Sequence, residues 1–197
     1  RFMHDLGVKI PLTGSNWSRN AGLLAALEPM PFTDSHAYHD HPSNNRFSNR
    51  SYIGSRSNMT GSLSFNRVVG KPFFVSEWDT PWPNEWRAEL PLWLAAVSAL
   101  QAWDGLTVYT YRHGAEVPCD WLSGAFETFN DPCRFGLFPA AALIYRRGDV
   151  AAARERVVID LPRDQALGTS SPGPWNVPAL ELTPEIHRTE IALGGTG

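Results

Sequence analysis

Cysteine is nearly absent: 197 residues hold only Cys119 and Cys133. Two cysteines exclude a disulfide-framed miniature fold and leave two openings, one bridge closing the loop between them or two buried free thiols. No apolar run comes near the roughly 20 residues that a membrane-spanning helix requires. Charge of one sign is scarce too. The 17 basic and 20 acidic side chains leave a formal net charge of −3, so neither nucleic acid nor an anionic membrane is an expected partner. Nothing at the N-terminus has the basic-then-apolar form of a secretory signal. The chain begins at Arg1, inside what reads as a helix end, RFMHDLG, and is expected to be a fragment or a processed chain. The compartment is left open, a secreted or periplasmic setting included.

What is present suits one well-packed core with a small appendage, at 43% hydrophobic and 19% charged residues. Tryptophan is in surplus, with eight in the chain. Indoles pack cores, and they also stack on flat apolar ligand faces such as sugar rings.

Along the chain, strand-like and helix-like stretches alternate. GVKIPLTGSNW (7–17) reads as a strand, SRNAGLLAALEPM (18–30) as a capped helix, and FTDSHAYHDHP (32–42) as a second strand. A polar loop over 43–62 leads to a short helix, LSFNRVVG, stopped by Gly70. KPFFVSEW is a third strand, and 85–105 a long helix with Trp86, Leu90, Trp93, Leu94, Val97 and Leu100 on one face. LTVYTYRHG is a fourth strand, followed by a loop to about residue 133 and a helix over RFGLFPAAALIYRRGDV. Beyond residue 150, ERVVIDLP and IHRTEIALGG read as β-strands among Pro/Gly/Ser-rich spacers.

Four βα units predict an α/β fold with a parallel sheet and helices outside it. They fit a doubly wound sheet or half of an eight-unit (β/α)8 barrel. In barrels the chemistry lies on loops after strand C-termini, where the polar residues collect here. The half-barrel is therefore favoured for residues 1–150, with 151–197 as a β-type extension or the start of a second domain.

Two strand ends carry the chemistry-bearing residues. Alternation puts Asp34, His36 and Tyr38 on one face of the second strand, with Ser35, Ala37 and His39 on the other. His36, His39, Asp40 and His41 are metal-ligand types, but their spacing matches no closed zinc pattern, and no metal or cofactor is expected. Glu77 ends the apolar run PFFVS. A carboxylate there is either an ion-pair partner or a nucleophile or base at the mouth of a barrel.

HAY on one strand and SEW on the next, followed by QAWDGLTVYTY, resemble the glycoside hydrolases of clan A. These are (β/α)8-barrel retaining enzymes that include cellulases, mannanases and β-glycosidases. The resemblance covers residues 8 to about 148 and makes the four units strands five to eight. It implies that Glu77 is the nucleophile and that His36 and Tyr38 orient it. Asn16, Trp17, Trp78, Trp82, Tyr109, Tyr111 and His113 would contact a β-linked poly- or oligosaccharide. A retaining enzyme needs an ionised carboxylate about 5–5.5 Å from a protonated one.

The family's acid/base glutamate follows an asparagine on a strand that precedes everything in this chain. The one Asn-Glu here, Asn84-Glu85, follows the nucleophile strand, and Glu85 is expected to begin the next helix instead. A half-barrel also leaves strand edges and an apolar face open. A homodimer, a separate N-terminal half, or coverage by the tail would close it, and the chain alone is expected to have weak or no activity. Two other readings stand beside this one: a non-catalytic carbohydrate-binding or structural half-barrel, and a metal-dependent hydrolase using His36, His39 and His41.

Overall fold

The computed structural model describes residues 2–17, 20–44, 46–55, 59–113, 124–168 and 173–194. It is a mixed α/β structure whose short parallel strands form two small sheets. The first sheet has strand order β1-β2-β3, from β1 (Thr33–Tyr38), β2 (Phe73–Asp79) and β3 (Gly105–Leu106). Helices α1 (Phe2–Asp5) and α2 (Ala21–Leu27) precede it, and α3 (Met59–Ser64) and α4 (Glu89–Gln101) connect its strands. Next come α5 (Pro132–Phe135) and α6 (Phe138–Arg147). The second sheet pairs β4 (Arg156–Asp160) with β5 (Arg188–Ala192) in parallel, across a connection containing α7 (Arg163–Ala166) and three 3-10 turns.

Local chemistry explains where these elements start and stop. Asn20 caps α2 by accepting the Leu23 N–H through its side chain. Helix α4 ends at Ala102, which takes a left-handed conformation (φ 51°) and returns its N–H to the last turn. It buries Leu90, Leu94, Ala95 and Val97, and Leu90 and Leu94 join Phe73, Val75 and Trp78 of β2 and Trp103 in one core cluster. Gly105 is required by close approach, since a Cβ there would stand 2.5 Å from the Phe74 ring.

Several expected elements differ. Residues 8–17 form no strand: Pro11 interrupts the run, Ile10 is exposed, and the segment meets the sheet where the Asn16 carbonyl accepts the His36 N–H at 3.2 Å. The short helix, Met59–Ser64, starts earlier than expected and overlaps 63–70 only at Leu63 and Ser64. Asn66 leaves the helix to bond Ser35 Oγ, and Val68 bridges to Ile191. Gly70, with φ 75°, sits in the turn before β2 and is not a helix stop. The fourth strand is only two residues long, although Thr107 and Tyr109 still donate N–H bonds to Val75 and Trp78. The last predicted helix is split by Gly136 and Leu137 into α5 and α6.

The extension packs onto the rest of the chain. Ile191 of β5, Leu161 and Ala166 share a second buried cluster with Leu24, Ala25, Phe65 and Val68. Gln101, wholly buried, donates to the Pro184 and His187 carbonyls and accepts the Thr189 N–H. Cys133 is exposed, and Cys119 lies outside the described residues.

Candidate active site

Strands β1 and β2 set the site. Ala37 faces the helix-side core and Ser35 accepts a bond from Asn66, while Asp34, His36 and Tyr38 point to the opposite face. Strand β2 departs from alternation once. Ser35 pairs with Val75 but His36 pairs with Glu77, so Ser76 is an extra residue, a β-bulge. Counting strictly from Val75, Glu77 would face the helices and Trp78 the open face. The bulge reverses both, bringing Glu77 beside His36 and Tyr38.

Glu77 Oε2 accepts the Tyr38 hydroxyl proton and lies 3.3 Å from His36 Nδ1. Burial, and then the bonded Glu77 carboxylate, push the Tyr38 phenol far above its ordinary range, so it stays a donor at any working pH. The edge of Trp17 meets the His36 ring at 4.5 Å, and Tyr38 has His41 at 5.2 Å, Phe126 at 4.9 Å and Tyr109 at 6.3 Å between ring centroids. Together Trp17, His36, Tyr38, His41, Glu77 and Tyr109 line a cleft of about 440 Å³. Glu77 is the sole carboxylate among these lining residues.

The far wall is braced from behind. The Tyr109 hydroxyl lies 3.0 Å from His113 Nε2, and Glu127 Oε1 accepts the His113 N–H at 3.0 Å. Below Glu127, the buried Arg134 bonds Asp79 at 2.6 Å, Asp131 at 2.8 Å and the carbonyls of Thr80 and Glu127. Arg87 adds a second cation to Asp131 at 2.6 Å. This network pins the loop that carries Phe126 to the end of β2.

The other expected site residues are dispersed. Trp78 is a correction: it is 4% exposed, packs in the helix-side core against Phe138, and cannot reach the cleft. Asn16 turns its side-chain amide to Ser76 Oγ at 3.4 Å. Tyr111 leans on Phe129 and Phe135 and is not in the cleft lining. Trp82 and Trp86 are both exposed, on the loop after β2. Glu85 does not begin the helix. Its N–H is taken by Asn49, and the first-turn carboxylate of α4 is Glu89, which accepts the Tyr52 N–H and the Ser51 hydroxyl. Asn84 is buried, bonded to Asp40 and the Arg50 carbonyl.

The three histidines do not share one site: His36 and His41 line the cleft, and His39 does not. His39 turns to the other side of β1, where its Nε2 meets the Arg50 carbonyl at 2.9 Å and its ring meets Tyr52. Asp40 accepts the N–H groups of Ser48 and Asn49, which order the loop. Among the described residues no group of three or more His, Cys, Asp or Glu side chains is arranged to hold a metal ion. Nor is any helix among them long and apolar enough to cross a membrane.

The arrangement offers a carboxylate oriented by a phenol and an imidazole in an aromatic-walled cleft. Sequence reasoning missed His41 as part of that wall, and also Phe126, Glu127 and Asp34. The last was within reach, since it shares the His36–Tyr38 face. Comparisons of the chain with protein-family models, with curated proteins and with solved structures each find no match.

Proposed function

We propose that the chain is the nucleophile-bearing, C-terminal half of a clan A-type retaining glycoside hydrolase barrel acting on β-linked poly- or oligosaccharide. The observation that carries this reading is the Tyr38–Glu77 bond, with His36 alongside, at the C-terminal ends of parallel strands in a cleft walled by Trp17 and Tyr109. Tyr38 fixes Oε2 and leaves Oε1 to attack. Attack on the anomeric carbon forms a glycosyl ester as the bond to the leaving oxygen breaks, and water later hydrolyses the ester. Among the described residues that line the cleft there is no second carboxylate to protonate the leaving oxygen, so this reading takes the acid from outside them. A complementary half-barrel or a second copy of the chain would also cover the open strand edges.

The test uses 2-fluoro glycosides with dinitrophenolate leaving groups, which depart without protonation. Intact mass should show one stable glycosyl adduct on Glu77, absent in Glu77→Gln. That Glu77 is the sole carboxylate lining the cleft among the described residues favours one other reading, a non-catalytic sugar-binding site. That reading takes over if no sugar in the panel forms an adduct while oligosaccharide still perturbs Trp17 fluorescence.

A further inference from the structure

Glu77 reaches the cleft only because Ser76 is bulged out of β2, and the bulge is tied down on three sides. Its N–H is accepted by Asp34 Oδ1 at 3.0 Å. Its carbonyl accepts the Thr107 hydroxyl at 2.6 Å, and its Oγ accepts the Asn16 amide at 3.4 Å. A bulge leaves the extra residue's backbone without its ladder partner, and an unmet N–H beneath a packed face is costly. Asp34 supplies the missing acceptor. It is 8% exposed and shares a face with His36 and Tyr38, two and four residues further along β1.

We infer that Asp34 is a positioning residue: by accepting the Ser76 N–H it locks the bulge that turns Glu77 toward Tyr38 and His36. Without that acceptor β2 is free to return to plain alternation, and Glu77 would swing toward the helices while Trp78 left the core. Asn16 and Thr107 act on the same residue from the two neighbouring segments, so the lock joins the 8–17 segment, β1, β2 and the stretch after β3. This gives Asn16 a role beside or in place of the sugar contact expected for it. The catalytic consequence rests on the reading of Glu77 as nucleophile. The geometric one does not.

Two measurements separate them. The first is the proton resonance of the Tyr38 hydroxyl bonded to Glu77, assigned by its loss in Tyr38→Phe and in Glu77→Gln. Asp34→Asn keeps an Oδ1 acceptor and should keep the resonance, whereas Asp34→Ala should lose it while the far-UV spectrum and a cooperative melt persist. The second is labelling by the activated fluoro glycoside. Asp34→Ala should lower the rate constant of labelling by about 100-fold, the scale of an ångström-sized misplacement, with little change in the half-saturating concentration. A resonance that survives Asp34→Ala overturns the lock, and so does one lost equally in Asp34→Asn. A wild-type chain that shows the resonance but takes no label sinks the nucleophile reading and leaves the lock standing. If Asp34→Ala does not fold, deletion of Ser76 decides. Without the extra residue plain alternation carries Glu77 to the His36 face, so adding Asp34→Ala to that deletion should restore both fold and resonance. Failure to restore them rejects the proposal.

Discussion

Two tryptophans show how position outweighs residue type. Trp78 is in the core beside Phe138, and Trp17 is 69% exposed with its edge on His36. Truncating a buried tryptophan removes its transfer energy and leaves a cavity, so Trp78→Ala should lower stability by about 3–5 kcal/mol. Trp17→Ala should change stability by no more than about 0.5 kcal/mol, as is usual for an exposed side chain. Denaturant melts of the two variants check this, and similar midpoints would contradict the placement of Trp78. If the cleft takes sugar as proposed, binding should respond in the opposite order, weakened by Trp17→Ala in a fluorescence titration.

Among elements, the end of β2, α5 and the residues 127–131 that lead into α5 are held together by the buried Arg134 and the carboxylates of Asp79 and Asp131. Removing Arg134 would leave Asp79 without its cation and Asp131 with Arg87 alone, and Arg134→Met should cost about 3–5 kcal/mol, read as a drop in unfolding free energy. The two carboxylates titrate in opposite directions. Burial pushes Asp79 up to about 7, with the Asp131 charge adding to it while Arg134 pulls back. Burial also works against Asp131, but the Arg87 and Arg134 guanidiniums hold it below the usual carboxylate range. A raised carboxyl keeps a proton in the folded chain that the unfolded chain releases near pH 4. Its contribution is therefore full below about pH 4 and lost as pH rises through about 7. A lowered carboxyl does the reverse. Its contribution is present above about pH 4 and lost as pH falls through the folded value. The melting temperature should accordingly peak on the acid side of neutrality. Asp79→Asn should flatten the limb between about pH 4 and 7, and Asp131→Asn the limb below about pH 4. A peak at or above pH 8 in the native chain would contradict the Asp79 assignment.

Elements were legible in the sequence where one physical signal dominated. The apolar run before Glu77 gave β2, and the stripe of Leu90, Leu94 and Val97 gave α4. They were illegible where tertiary partners decide. Val68 reads as helix by its neighbours but bridges to Ile191, more than a hundred residues away, and residues 8–17 hold a strand-like pattern with one backbone bond to the sheet. The bulge is the sharper case. Nothing in PFFVSEW marks Ser76 as the extra residue, because the groups that hold it, on Asp34, Asn16 and Thr107, are distant in sequence. Without the bulge, alternation from Val75 places Trp78 on the cleft face, where a sugar contact was expected for it.

The proposed glycosidase function needs a second carboxylate, and the exposed apolar surfaces bear on which assembly would bring it. One end of the chain exposes Phe2, Leu6 and Ile10, and α5 and α6 expose Phe135 and Leu143, surfaces that favour association. Sedimentation should therefore show species larger than the 21.9 kDa chain, and a strictly monomeric boundary at micromolar concentration would argue against a second copy closing the fold. Association alone does not finish the site. Under the proposed function, a second copy brings another Glu77 and no new type of carboxylate, whereas a complementary half-barrel, if there is one, would bring the acid/base. Azide distinguishes them. If the proposed function holds and the chain supplies no acid/base, it should form its glycosyl ester quickly from a dinitrophenyl glycoside and release it slowly, with nothing to deprotonate the attacking water. Azide needs no deprotonation, so it should speed turnover and yield a glycosyl azide of retained configuration. If a homodimer is the assembled form, that acceleration should persist at every protein concentration. If a complementary half restores the site, adding it should abolish the azide effect and extend turnover to glycosides with poor leaving groups.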